Sequence, residues 1–132
     1  MSLRQSHVIH LSLSRSAADV YAWLARPRNY AQWAAVTGPM TQIGPQDWGI
    51  DTPFGPRLVR FCEANTLGVL DHAVYRAGEE PVMFPMWVVP NGEGCELIFV
   101  FFRRDDMTAE QFESSLEWIN TDFLTLRSML EI

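Results

Sequence analysis

The chain has 132 residues, 48% hydrophobic and 12% aromatic, enough for a substantial core and suited to a single domain spanning residues 1–132. Ten basic and sixteen acidic residues give a net charge of −6, which argues against nucleic-acid binding because that needs a basic footprint. Every basic residue is arginine, so lysine Schiff-base chemistry, a lysine general base and a Walker-type phosphate loop are excluded.

No apolar run reaches the ~18 residues needed to span a bilayer, and Met1-Ser2-Leu3-Arg4-Gln5-Ser6 lacks the apolar core of a signal peptide. The expectation is a cytoplasmic protein with no membrane insertion. Cys62 and Cys95 then read as free thiols. His7, His10, His72 and the two cysteines form no metal-ligand spacing. Arg57, Arg60, Arg103 and Arg104 could form a small basic patch, although solvated strand ends account for them more simply.

In chain order, residues 5–13 place His7, Ile9, Leu11 and Leu13 on one face of a first strand. Ser16 with Asp19 three residues on is a helix N-cap with an acidic first turn. The helix runs to about Ala25 and buries Val20, Leu24 and either Tyr21 or Trp23. Pro27 ends it and opens a second short helix to Trp33. Residues 34–56 are punctuated by glycine and proline and read as short strands and turns. Thr52-Pro53-Phe54-Gly55 fits a type I turn between strands. Strands are expected at about 57–64, 67–76, 82–89 and 95–103, the last two joined by a hairpin loop, Pro90 to Gly94. Pro85 marks an edge or a bulge.

The last segment carries the strongest pattern. Thr108 and Gln111 form a capping box, and Met107 with Phe112 has the spacing of a hydrophobic staple. Phe112, Leu116, Ile119, Phe123, Leu126 and Leu130 then draw one apolar stripe along a helix of about six turns. A single helix of this length after so many strands packs on the sheet. Twisted and bulged strands curve around it and leave a cavity between.

This order of elements resembles the helix-grip fold of the START-like, or SRPBCC, superfamily: an α+β fold whose curved antiparallel sheet wraps a long C-terminal helix, with two short helices after the first strand. The resemblance spans nearly the whole chain and is nearest to bacterial polyketide cyclase/dehydrase-like proteins of unknown activity. It is carried by Trp48 to Gly55, by Val59-Arg60-Phe61 running into Asn65 to His72, by Pro85 to Gly92, and by the Glu110 to Leu130 helix. None of these stretches is a catalytic signature. The resemblance implies a hydrophobic ligand cavity, no required cofactor, and a frequent homodimer.

Asp71 and His72 lie in an apolar strand, where neighbours face opposite sides and cannot form a dyad with each other. His72, Asp71 and Tyr75 are the candidate acids or bases; the plain alternative for His72 is a structural histidine whose ring is hydrogen-bonded. Arg60 could meet Asp71 or a ligand carboxylate if its face is inward, and is a rim or surface residue if outward. Trp33, Trp48, Met83, Met86, Trp87, Phe99 and Phe101 could wall a pocket or simply pack the core. From the long helix, Leu116 could add to the apolar wall, and Asn120, close to Trp118, could place a polar handle at the cavity edge. If Glu96 faces solvent, Ile98, Val100 and Phe102 make an apolar outer face, open to covering by a second copy.

Three functions compete: binding of a small hydrophobic or amphipathic molecule in the cavity, a cyclase or dehydratase using a cavity acid or base, and a regulatory or protein-interaction module. The absence of a nucleophile elbow, metal cluster or phosphate loop puts binding first.

Overall fold

The computed structural model of the protein describes residues 3–131. Strand β1 (Ser6–Leu13) leads into helix α1 (Ala17–Leu24), a 3-10 turn (Pro27–Asn29) and the single turn α2 (Tyr30–Trp33). Strands β2 (Thr41–Gln42), β3 (Asp47–Thr52), β4 (Gly55–Phe61), β5 (His72–Tyr75), β6 (Met86–Asn91) and β7 (Gly94–Phe102) follow, and α3 (Ala109–Leu130) closes the fold.

All strand pairs are antiparallel, in two hydrogen-bonded groups, β1-β7-β6 and β2-β3-β4-β5. Isolated bridges at Val69–Trp87 and His72–Phe84 join the groups. The strands therefore run in spatial order β1-β7-β6-β5-β4-β3-β2, with a weakly paired seam between β6 and β5. Pro85 lies at that seam, where a residue without an N–H cannot continue the ladder. This shortens the expected strand 82–89 at its start.

Two other expectations need correcting. The expected strand 67–76 is regular only from His72, because Asn65 folds residues 65–69 into a loop. Its Oδ1 accepts the Leu67 and Val69 N–H groups at 3.0 Å each, and its Nδ2 donates to the Val69 carbonyl at 2.9 Å. Gly68 sits in that loop at φ +76, and a Cβ there would collide with the Val88 carbonyl oxygen. The Pro90–Gly94 loop is shorter than expected: pairing extends to Asn91–Gly94, so only Gly92 and Glu93 turn the chain.

The helices form for the reasons written in their sequence. The Ser16 side chain accepts the Asp19 N–H at the start of α1. The reciprocal bonds of Thr108 and Gln111 cap α3. Phe112, Leu116, Phe123, Leu126 and Leu130 are buried along one side of α3. At roughly 2 kcal/mol for each buried side chain, these five are worth about 10 kcal/mol. That exceeds what intrinsic propensity supplies to an exposed helix, so packing holds α3 to the sheet. A second, smaller core of Met40, Trp48, Ile50 and Val59 sits under β2–β4. On β7, Leu97, Phe99 and Phe101 point inward, while Ile98, Val100 and Phe102 are half-buried on the outer face beside the exposed Val8 of β1.

Candidate functional site

A cavity of about 500 Å³ lies between the concave face of the sheet and α3. This is within the range of small-molecule sites. Its more open end is bordered by Phe54, in the β3–β4 turn, and by Trp118 on α3. These two exposed rings meet edge to face at 5.5 Å.

Deeper in, five rings make a closed circuit in the cavity wall. Tyr30 meets Trp33 at 5.2 Å, Trp33 meets Phe123 at 5.8 Å, and Phe123 meets Phe99 at 5.8 Å. Phe99 stacks on His72 at 5.7 Å, and His72 returns to Tyr30 at 5.7 Å. The circuit draws on α2, α3, β7 and β5, so it exists only in the assembled fold.

Of the polar groups that border the same space, three belong to this aromatic circuit or lie beside it in sequence. His72 is buried, with Nδ1 3.1 Å from the Leu70 carbonyl oxygen. A carbonyl can only accept, so Nδ1 carries the proton and Nε2 of the neutral ring keeps its lone pair. Burial is the main influence on this imidazole and lowers its pKa below the ordinary histidine value. Asp122, one residue before Phe123, is partly buried. Burial raises its pKa to about 6, against the opposing pull of the Ala35 N–H. The Tyr30 hydroxyl is held above its ordinary pKa, first by burial and then by the charge of Asp122.

The residues singled out from sequence divide between this cavity and other places. Trp33, His72, Phe99 and Phe101 border it. Tyr75 borders it too, but its hydroxyl donates to Asp47 Oδ1 at 2.7 Å. Arg60 does not reach the cavity and pairs neither with Asp71 nor with a ligand position: its Nε donates to the same Asp47 oxygen at 2.9 Å, with the side chain 41% exposed. These bonds hold Asp47 below the usual carboxylate range and raise Tyr75. The group is a strand-to-strand clasp on the face opposite Val59.

Asp71 is likewise corrected. Its carboxylate accepts the Met86 N–H at 3.0 Å, beside a separate pocket of about 40 Å³ that Met86 also lines. Trp48 is in the smaller core, under the Arg28 guanidinium at 5.0 Å. Leu116 is core, Met83 is half-buried away from the cavity border, and Asn120 is exposed.

Sequence reasoning missed Tyr30, Asp122 and Phe54. For Asp122 a signal was present. It follows Trp118 by four residues and Ile119 by three, which puts all three on one flank of α3. Asn120, two residues from Asp122, falls on nearly the opposite side.

Among the described residues no group of three metal-ligating side chains comes together, and no helix is long and apolar enough to cross a membrane. Both cysteines are free.

No family model matches the sequence, and no curated protein matches it. Solved structures do. A START superfamily protein from Mycobacterium smegmatis superposes with a TM-score of 0.75 at 11% identity, covering 96% of this chain and 97% of that one. The Aha1 dimer from Colwellia psychrerythraea gives 0.73 at 13% identity, with 97% of each chain covered. Ara h 8.0201 gives 0.70 at 7% identity over 96% of this chain and 97% of the other. Identities this low bear on fold alone; the chain has the START-like, SRPBCC-type helix-grip fold, an α+β architecture closed by a long C-terminal helix.

Proposed function

We propose that this protein binds a small hydrophobic or amphipathic molecule in the space between its sheet and α3. The observation that supports this reading is the cavity of about 500 Å³, with an aromatic wall and the polar groups of Tyr30, His72 and Asp122 on its border. Apolar walls supply the affinity and sparse polar groups fix orientation. Acid–base chemistry on a bound carbonyl compound is the second reading, favoured by the free Nε2 of His72 and the neighbouring Tyr30 hydroxyl. A homodimer through the outer face of β1 and β7, where Val8, Ile98 and Val100 are adjacent, belongs to the same proposal, as does a cytoplasmic location.

Native mass spectrometry with N-phenyl-1-naphthylamine, a neutral apolar probe, tests the binding reading. A saturable 1:1 complex is expected in the wild-type protein. Ile119→Trp, which places an indole in the cavity, should abolish it. Absence of any complex in the folded wild-type protein overturns the reading. The same spectra report monomer or dimer.

A further inference from the structure

We infer that the cavity selects a ligand whose buried end is a cation, an amine or substituted ammonium group. The inference rests on the binding reading above and specifies the head group of that ligand. Tyr30, Trp33, Phe123, Phe99 and His72 border the cavity as one continuous aromatic wall, packed ring on ring through edge-to-face, tilted and stacked contacts. Aromatic faces attract cations through their quadrupoles.

A carboxylate stands beside this wall. Asp122 borders the cavity next to Phe123 and close enough to Tyr30 for its charge to act on the phenol. No ion pair among the described residues includes Asp122. Four arginines, Arg4, Arg57, Arg76 and Arg104, also border the cavity, together with four carboxylates besides Asp122: Glu79, Glu80, Asp105 and Asp106. Arg4 pairs with Asp105 at 3.2 Å, whereas Arg104 has Asp106 only at 3.6 Å, beyond hydrogen-bond reach, and its buried Nε has no hydrogen-bond partner among the described residues. Arg57 donates to the Pro56 carbonyl. A partly buried carboxylate gains most from a charged partner brought in by the ligand. A ligand carboxylate in the same place would meet like charge.

The site also has the right neutrality on its other side. His72 gives its one ring proton to Leu70, so it offers a ligand an acceptor and no positive charge.

The test uses three probes that differ only in head group: 4-phenylbutylamine, 4-phenylbutanol and 4-phenylbutanoate, titrated calorimetrically at pH 7.5 into wild-type protein, Asp122→Asn and Trp33→Leu. The wild-type protein should bind the amine about tenfold more tightly than the alcohol, as a desolvated carboxylate and aromatic faces together require, and the carboxylate most weakly. Asp122→Asn should remove most of the amine's advantage over the alcohol. Trp33→Leu should weaken the amine more than the alcohol. Equal binding of all three by the wild-type protein overturns the inference while leaving the binding reading intact. So does an amine preference that survives in Asp122→Asn. Failure of all three to bind overturns both. Far-ultraviolet circular dichroism confirms that each variant is folded, and the preference is read as the ratio of amine to alcohol affinity within each protein.

Discussion

Asp122 stands where a charge is costly, and replacing it should make the protein more stable. Its carboxyl has a pKa of about 6 in the folded chain against 3.8 for the free group. A carboxyl raised on folding binds its proton more tightly in the folded state. The folded state is therefore penalised as pH rises from about 4 through about 6, and the full penalty stands above that. A shift of this size corresponds to about 3 kcal/mol at 1.36 kcal/mol per pKa unit. Asp122 is only partly buried, and solvent screening brings the figure down to about 1–2 kcal/mol. Asparagine keeps an oxygen that can accept the Ala35 N–H and removes the charge. Urea denaturation of wild-type protein and Asp122→Asn should therefore give equal stability at pH 4, within about 0.5 kcal/mol. At pH 8 the variant should be more stable by about 1–2 kcal/mol. Other titrating groups cancel in the difference between the two proteins. Equal stability at pH 8, or a variant that is weaker there than at pH 4, refutes the argument.

His72→Phe should keep the stack on Phe99 but lose the bond to the Leu70 carbonyl, a cost of about 1 kcal/mol at pH 8. Because folding lowers the histidine pKa, the unfolded wild-type chain takes up a proton below pH 6.5 that the folded chain resists. Wild-type stability should fall on acidification, and the gap to the variant should narrow or reverse by pH 5, as read from paired denaturation curves. Asn65→Ala removes the acceptor of the Leu67 and Val69 N–H groups and should cost about 2–3 kcal/mol, with hydrogen exchange at those two amides accelerating more than in α3. Unchanged exchange there would show that the loop is held by something other than Asn65.

What could be read from the sequence follows from where the determining forces act. The α3 helix is legible because its capping box, its staple and its stripe all lie within a few residues of one another. The alternation of β7 is legible because nine consecutive residues keep one parity. The strand ending at Tyr75 is not. Arg60 and Tyr75 are polar residues on the face opposite Val59, and their reason for being there is Asp47, in a different strand. Nothing near either residue announces that partner, so the parity of residues 57–76 stays open until the strands are paired. The start of β5 is hidden for a related reason: one asparagine side chain replaces ladder bonds that the apolar sequence of Leu67 to Leu70 otherwise invites.

The candidate site was partly visible. Trp33, His72, Phe99 and Phe101 could be named because aromatic residues and a histidine in apolar strands stand out against their neighbours. Asp122 was harder to single out: its spacing from Trp118 and Ile119 marks the flank, but an acid on a helix flank ordinarily means solvent. Its position becomes informative only when the sheet covers that flank. Asp122 and His72 both border the cavity, and burial opposes the charged form of each: Asp122 weakens the fold at high pH, His72 at low pH. A phenylalanine or leucine at either place would fill the same wall without that penalty. His72 offsets part of this cost through its bond to the Leu70 carbonyl and its stack on Phe99, whereas Asp122 has only the Ala35 N–H. Under the proposed binding reading, these are the groups a ligand would meet, so the polar part of the wall is where the identity of that ligand should be sought.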